Sequence, residues 1–165
     1  MRFAVVTGLL LASAMPIASS ALAADDPAMV AEAFCKARLA NDEAATLALL
    51  TPSLIKVIEE AKARSDVIAK ATPDEKPPFG DGIPYQAFPD VAQGCEAGEI
   101  SDESGRVEVE IDYLFPKTPK ANWTDRLKLV ADGDRLLIDD ILFANVANGE
   151  PDQGLRRVLF DAFDQ

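Results

Sequence analysis

Two aspartates sit side by side in an oily run, with Arg135 to Asn145 reading RLLIDDILFAN. Adjacent carboxylates of this kind serve proton transfer or a hard metal ion, or else they fasten a scaffold together. Little else in the chain competes for a chemical role. There is no histidine, so the usual general base, metal ligand and triad partner are missing. There is no G-x-S-x-G elbow, no phosphate-binding P-loop and no G-x-G-x-x-G fingerprint. Carboxylate, tyrosine, lysine and arginine remain. No cofactor and no metal site is expected, because two carboxylates without histidine suit at most a hard ion.

Where the acids point depends on the strand that carries them. Strict alternation sends Leu136, Ile138, Asp140 and Leu142 to one face and Leu137, Asp139, Ile141 and Phe143 to the other. A turn at Asp132-Gly133 predicts the pairs Leu129–Leu136 and Leu127–Ile138, apolar against apolar. Arg126 then faces Asp139. Lys128, Glu108, Glu110 and Asp112 complete a charged, solvated outer face on which Asp139 is scaffold. The inner face gathers Trp123, Asp125, Leu127 and Leu129, with Val107, Val109, Ile111 and Tyr113 of the preceding strand. In this register Asp125 and Asp140 fall opposite one another. Two carboxylates on an apolar surface raise one pKa, which makes Asp125, Asp140 and the nearby hydroxyl of Tyr113 the candidate catalytic set. The structural alternative is that Asp140 lies at the wet rim of the sheet or accepts a hydrogen bond from a loop amide.

The elements that must hold these residues follow from periodicity and punctuation. DDPAMVAEAFCKARLAND reads as a helix capped by Asp26, with Pro27 in its first turn and Val30, Phe34 and Ala37 on one face. A second helical region, broken near Thr51-Pro52, carries the stripe Leu54, Ile55, Ile58, Ala61 and Ile68. Residues 72–90 hold five of the eleven prolines and read as a long loop tacked down by Phe79, Tyr85 and Phe88. Such a loop is often functional, and these aromatics with Trp123 are the candidate binding residues. The alternative is a plain connector whose aromatics plug the core edge. CEAGEIS, RVEVEIDYLF, WTDRLKLVA and RLLIDDILF then alternate at period two as four strands. The tail EPDQGLRRVLFDAF is a short helix with Leu155, Leu159 and Phe163 on one side. Helices first and strands after predict an α+β class: N-terminal helices packed on one face of a curved antiparallel sheet of about four strands, with a short C-terminal helix.

Residues 1–23 have one early positive charge, Arg2, an apolar stretch and a closing Ala-Leu-Ala. They read as a cleavable signal peptide. That leaves one domain, 24–165, in an exported compartment taken to be a bacterial periplasm, with no stable membrane anchor. There Cys35 and Cys95 are expected to form a disulfide. Without Arg2 the chain has 15 basic residues against 28 acidic ones. Nucleic acid is thereby excluded as a partner, and a basic protein would be attracted.

Several segments together, AFCKARLANDEAA, TPSLIKVIEEA, GIPYQAFPDVAQG, VEVEIDY, LLIDDILF and LRRVLF, resemble the DUF-3828 family of bacterial envelope proteins. That family is similar to the cone-shaped α+β superfamily of nuclear transport factor two and the ketosteroid isomerases. The resemblance implies helices lying across a curved sheet with a pocket at the open end, rather than any one reaction. Two functions are therefore carried forward. One is a non-enzymatic binding domain for a small apolar ligand or a basic envelope protein. The other is a small acid–base isomerase or dehydratase using the Asp pair and Tyr113.

Overall fold

The computed structural model describes residues 26–103, 106–144 and 153–164. Residues 1–23, which read as a signal peptide, and residues 150–152 of the tail segment lie outside the described residues. Helix α1 (Pro27–Leu39) starts where the Asp26 carboxylate accepts from the Ala28 N–H at 3.0 Å. Helix α2 (Glu43–Leu47) is capped in the same way by Asp42, which accepts from the Ala45 N–H at 2.9 Å. The break at Thr51-Pro52 is the start of α3 (Pro52–Ala71), whose Leu54 N–H donates to the Thr51 hydroxyl at 3.1 Å. Helix α1 buries Val30, Ala31, Phe34, Cys35 and Ala37, and α3 buries Leu54, Ile58, Ala61 and Ser65. The expected stripe positions Ile55 and Ile68 are half-buried.

Strands β1 (Gly94–Glu103), β2 (Arg106–Leu114), β3 (Trp123–Asp132) and β4 (Arg135–Leu142) form an antiparallel meander in the order β1-β2-β3-β4. Helix α4 (Leu155–Asp161) closes the chain against β4 and α3, while α1 lies against β1 and β2. The fold is α+β, with helices on one face of a curved sheet. Its core takes Val109, Ile111 and Tyr113 from β2, Leu127 and Leu129 from β3, Ile138 and Ile141 from β4, and Leu155 and Leu159 from α4. The outer face is the charged one: Arg126 lies 3.5 Å from Glu108, and the Thr124 hydroxyl donates to Asp112 at 2.5 Å.

The β3–β4 hairpin departs from the expected register in two places. Its first pairs are Asp132–Arg135, Ala131–Leu136 and Leu129–Ile138, so the turn is Gly133-Asp134 and not Asp132-Gly133. Gly133, at φ +63, takes the left-handed position that a tight hairpin turn demands. Farther along, Lys128 pairs with Asp140 and Leu127 with Ile141, which leaves Asp139 as the extra residue of a β-bulge. Alternation is therefore interrupted. Ile138 and Ile141 both enter the core, although an unbroken strand would send them to opposite faces. Arg126 pairs with Leu142 instead of Asp139, and Asp125 lies beyond the last β3–β4 pair instead of opposite Asp140. The bulge coincides with a docked segment on the β4 edge. The Thr51 N–H donates to the Ile138 carbonyl and the Ile138 N–H to the Leu49 carbonyl, both at 2.9 Å. At the other end of β4 the Phe143 N–H donates to the Gln153 carbonyl at 3.0 Å, so this edge is covered and not left open.

Candidate functional site

The bulge turns both aspartates outward to fasten the ends of two helices. One Asp139 oxygen accepts from the Arg156 guanidinium at 2.6 Å, the Thr51 hydroxyl at 3.1 Å and the Ser53 hydroxyl at 3.3 Å. The Asp139 carbonyl takes a further bond from Arg156 Nε at 2.7 Å. Arg156 and Asp139 are both mostly covered, with side chains 29 % and 27 % exposed. Asp140 accepts from the N–H groups of Ile141 at 2.9 Å and Arg156 at 3.1 Å. Burial holds its carboxyl above the ordinary range; those two amides and the Arg156 charge pull the other way, while neighbouring Asp139 adds to the rise. Its carboxylate passes so close to Gly154 that a Cβ there would lie 2.3 Å from Asp140 Oδ2. Asp139, Asp140 and Arg156 thus tie β4, α3 and α4 together.

Asp125 is a second fastener. It is 1 % exposed, and each carboxylate oxygen is engaged. One accepts from the Ala144 N–H at 2.9 Å. The other accepts from the Ala87 N–H at 2.9 Å and Trp123 Nε1 at 3.3 Å. Burial raises its pKa against the pull of these three donors. The acid pins the long loop to the sheet from below. The structure does not bring Asp125 and Asp140 together, and neither is among the residues that line the cavity beside the loop.

What the fold does enclose is a cavity of about 710 Å³ between α1, α3 and the loop, within the size range of small-molecule sites. Phe79, Tyr85, Phe88 and Tyr113 all line it. Trp123 stands behind them, stacked on Tyr113 with ring centroids 4.7 Å apart and edge-on to Phe88 at 5.1 Å. At the mouth, Leu39 and Val91 form an apolar lip, 44 % and 81 % exposed. Three buried polar atoms belong to residues of the cavity lining: Arg38 Nε and the hydroxyls of Tyr85 and Tyr113. Each is buried and, among the described residues, without a partner in hydrogen-bond geometry, although the Glu43 carboxylate acts on the Tyr85 hydroxyl from close by. The Arg38 guanidinium lies over the Tyr85 ring, 5.2 Å from its centroid, and its charge is felt by both phenols. Burial, with some help from Glu43, pushes the Tyr85 hydroxyl up to about 12. Burial and the Asp125 charge push Tyr113 higher. Both remain neutral donors.

Two structural facts set this buried end. The Cys35–Cys95 disulfide, with Cα atoms 5.3 Å apart, bolts α1 to β1. Cys95 pairs directly with Tyr113 across the β1–β2 ladder. Arg38, three residues beyond Cys35, follows on the same helical face. The bridge therefore brings Arg38 near enough to Tyr113 for its charge to act on that hydroxyl. Arg38 escapes detection from sequence because a basic residue in the last turn of a helix reads as an ordinary helix end. The signal is its spacing from Cys35 combined with the partner of Cys95. Arg156 is missed in the same way, one of two adjacent arginines in a short helix.

Among the described residues no three His, Cys, Asp or Glu side chains gather as a metal ion would require, and no helix is long and apolar enough to cross a membrane. No family model, no curated protein and no solved structure matches the chain.

Proposed function

We propose that this chain is an exported, non-enzymatic binding domain that holds a small, largely apolar ligand in the cavity between α1, α3 and the loop at 72–90. The observation that carries this reading is the lining: aromatic walls from Phe79, Phe88 and Tyr113, an exposed apolar lip at Leu39 and Val91, and a few inward polar groups. The disulfide and the leader-like N-terminus support export. The resemblance to the DUF-3828 envelope proteins is kept as part of this proposal, supported by the order of helices before a curved sheet. Between the two kinds of partner, the cavity favours a small molecule over a basic protein. For acid–base turnover the geometry gives less support, because Asp125 and Asp140 spend their lone pairs on backbone amides away from the cavity.

The test is a titration with the neutral fluorescent probe N-phenylnaphthylamine, followed by its own emission and by that of Trp123, the single tryptophan. Saturable binding should weaken in a Leu39→Glu, Val91→Glu double variant whose melting temperature is unchanged, since both side chains already face water. No saturable binding, or binding indifferent to the lip, overturns the reading.

A further inference from the structure

Resting on that reading, we infer that the cavity selects ligands bearing a carboxylate, which docks on Arg38, Tyr85 and Tyr113 at its buried end while the apolar body lies against Phe79 and Phe88.

Arg38, Tyr85 and Tyr113 line one cavity and the Arg38 charge acts on both phenols, while the Glu43 carboxylate stands beside the Tyr85 hydroxyl without reaching hydrogen-bond geometry. Arg38 Nε, Tyr85 Oη and Tyr113 Oη each lack a partner while buried, and the two tyrosines are 3 % and 1 % exposed. Leaving a buried polar group unsatisfied is costly, so three on one cavity mark a place for an acceptor. An amide, alcohol or ester head could take one or two such bonds. A carboxylate has two oxygens with room for about four donors and also meets the guanidinium charge. One guanidinium matches one negative charge. Of the acids that line the cavity, Glu43 is paired with Lys62 at 3.1 Å, Asp81 is paired with Lys76, and Asp66 is exposed to water, so one positive charge is left at the buried end and a doubly charged phosphate would exceed it. Among the described residues Arg38 makes one hydrogen bond, a long 3.4 Å contact from Nη2 to Gln86 Oε1, besides lying over the Tyr85 ring. The raised pKa values of both phenols keep their protons on at neutral pH, as donation requires.

The three atoms are closed off from bulk water, so the head group docks in a dry setting where charge-assisted hydrogen bonds are strongest. Its arrival requires residues 83–88 to give way. That segment is fastened by the Ala87 N–H to Asp125, and by Gln86 Nε2, which donates to the carbonyls of Phe88 at 2.7 Å and Asp90 at 2.9 Å.

The experiment displaces N-phenylnaphthylamine with two near-isosteric competitors, naphthaleneacetate and naphthaleneacetamide. In the wild type the acid should compete at least about tenfold better than the amide, the scale of one charge-assisted hydrogen bond. Arg38→Met, which keeps the stem and removes the charge, should abolish the preference. Tyr85→Phe and Tyr113→Phe should each narrow it about tenfold or less, with melting temperature unchanged or higher, because each removes an unsatisfied buried hydroxyl. That combination, weaker acid binding in an equally stable protein, is one a purely structural tyrosine would not give. Equal competition by acid and amide, no displacement by either, or a preference that survives in Arg38→Met overturns the inference while the binding-domain reading stands. Failure of the probe itself to bind overturns both.

Discussion

Replacing Asp125 with asparagine distinguishes a fastener from a catalytic base. The side chain keeps its shape but offers one acceptor oxygen where the carboxylate offers two. Turned towards Ala87 and Trp123, the new amide presents its NH2 to the Ala144 N–H, which donates to Asp125 at 2.9 Å in the wild type. A hydrogen bond to a charged group is worth about 1.5–3 kcal/mol, and a buried amide left unpaired costs about 1–3 kcal/mol. Part of that returns because the buried charge is gone. The net loss is about 1–3 kcal/mol at neutral pH, or roughly 3–12 °C in melting temperature for a domain of this size. The pH dependence carries a definite sign. A carboxyl whose pKa is raised by burial binds its proton more tightly in the fold than in the unfolded chain. Its contribution to stability is fully present below the unfolded value of about 3.9 and is lost as pH rises through the folded value. Asparagine has no such proton. The deficit of Asp125→Asn is therefore smallest at neutral pH and widens as pH falls towards about 4. Urea denaturation across that range measures it, and hydrogen exchange at Ala87 and Ala144 reports whether those amides have lost protection. A variant as stable as the wild type with both amides still protected would refute the fastener, as would a deficit that narrows in acid.

Four further outcomes follow from the same geometry. Arg156→Ala removes the 2.6 Å bond to Asp139 and the bond to its carbonyl; discounted for the exposed quarter of each side chain, this should cost about 1–2 kcal/mol in urea denaturation. Gly154→Ala pushes a Cβ against the Asp140 carboxylate and should cost about 1–3 kcal/mol, the usual range for overpacking. Reducing Cys35–Cys95, which closes a span of 60 residues, should lower stability by roughly 4 kcal/mol on the chain-entropy model, as read by denaturation with and without reductant. In an alkaline titration both tyrosines should stay protonated past pH 10: stability is full below about 10, where unfolded tyrosine ionises, and falls as pH rises from there. Tyrosinate absorbance and loss of circular dichroism should appear together, and tyrosinate in a native fold near pH 10 would contradict the burial.

The parts legible in the sequence are those that local chemistry determines. Asp26 bonds the N–H of a helical first turn, as its place before Pro27 predicts, and the inner residues of β2 and β3 follow period two. Those signals depend on neighbours in the chain. The β4 strand is different because its form depends on partners far away. Nothing within RLLIDDILF announces that the backbone of residues 49–51 will dock on Ile138, or that Arg156 will claim Asp139. The bulge is the consequence of those contacts, and it moves every later side chain of the strand to the opposite face. A one-residue offset of the turn at Gly133 and the extra residue at Asp139 separate Asp125 from Asp140, which an unbroken strand after a turn at Asp132-Gly133 would set face to face.

The same distinction explains why the cavity was half visible. Its aromatic walls come from one contiguous, proline-rich loop, and a long loop with Phe79, Tyr85 and Phe88 invites a binding role. Its buried polar atoms are assembled from three distant segments: Arg38 on α1, Tyr85 on the loop and Tyr113 on β2. The disulfide carries that assembly, because Cys35 places Arg38 and Cys95 is the direct ladder partner of Tyr113. The bridge therefore has a consequence beyond stability. In a Cys35→Ser, Cys95→Ser protein that still folds, α1 is free to shift along the sheet, and the acid-over-amide preference should decline before the affinity for the neutral probe does. If the preference survives intact, the packing of Phe34 and Ala31 alone seats Arg38, and the bridge contributes stability without shaping the site.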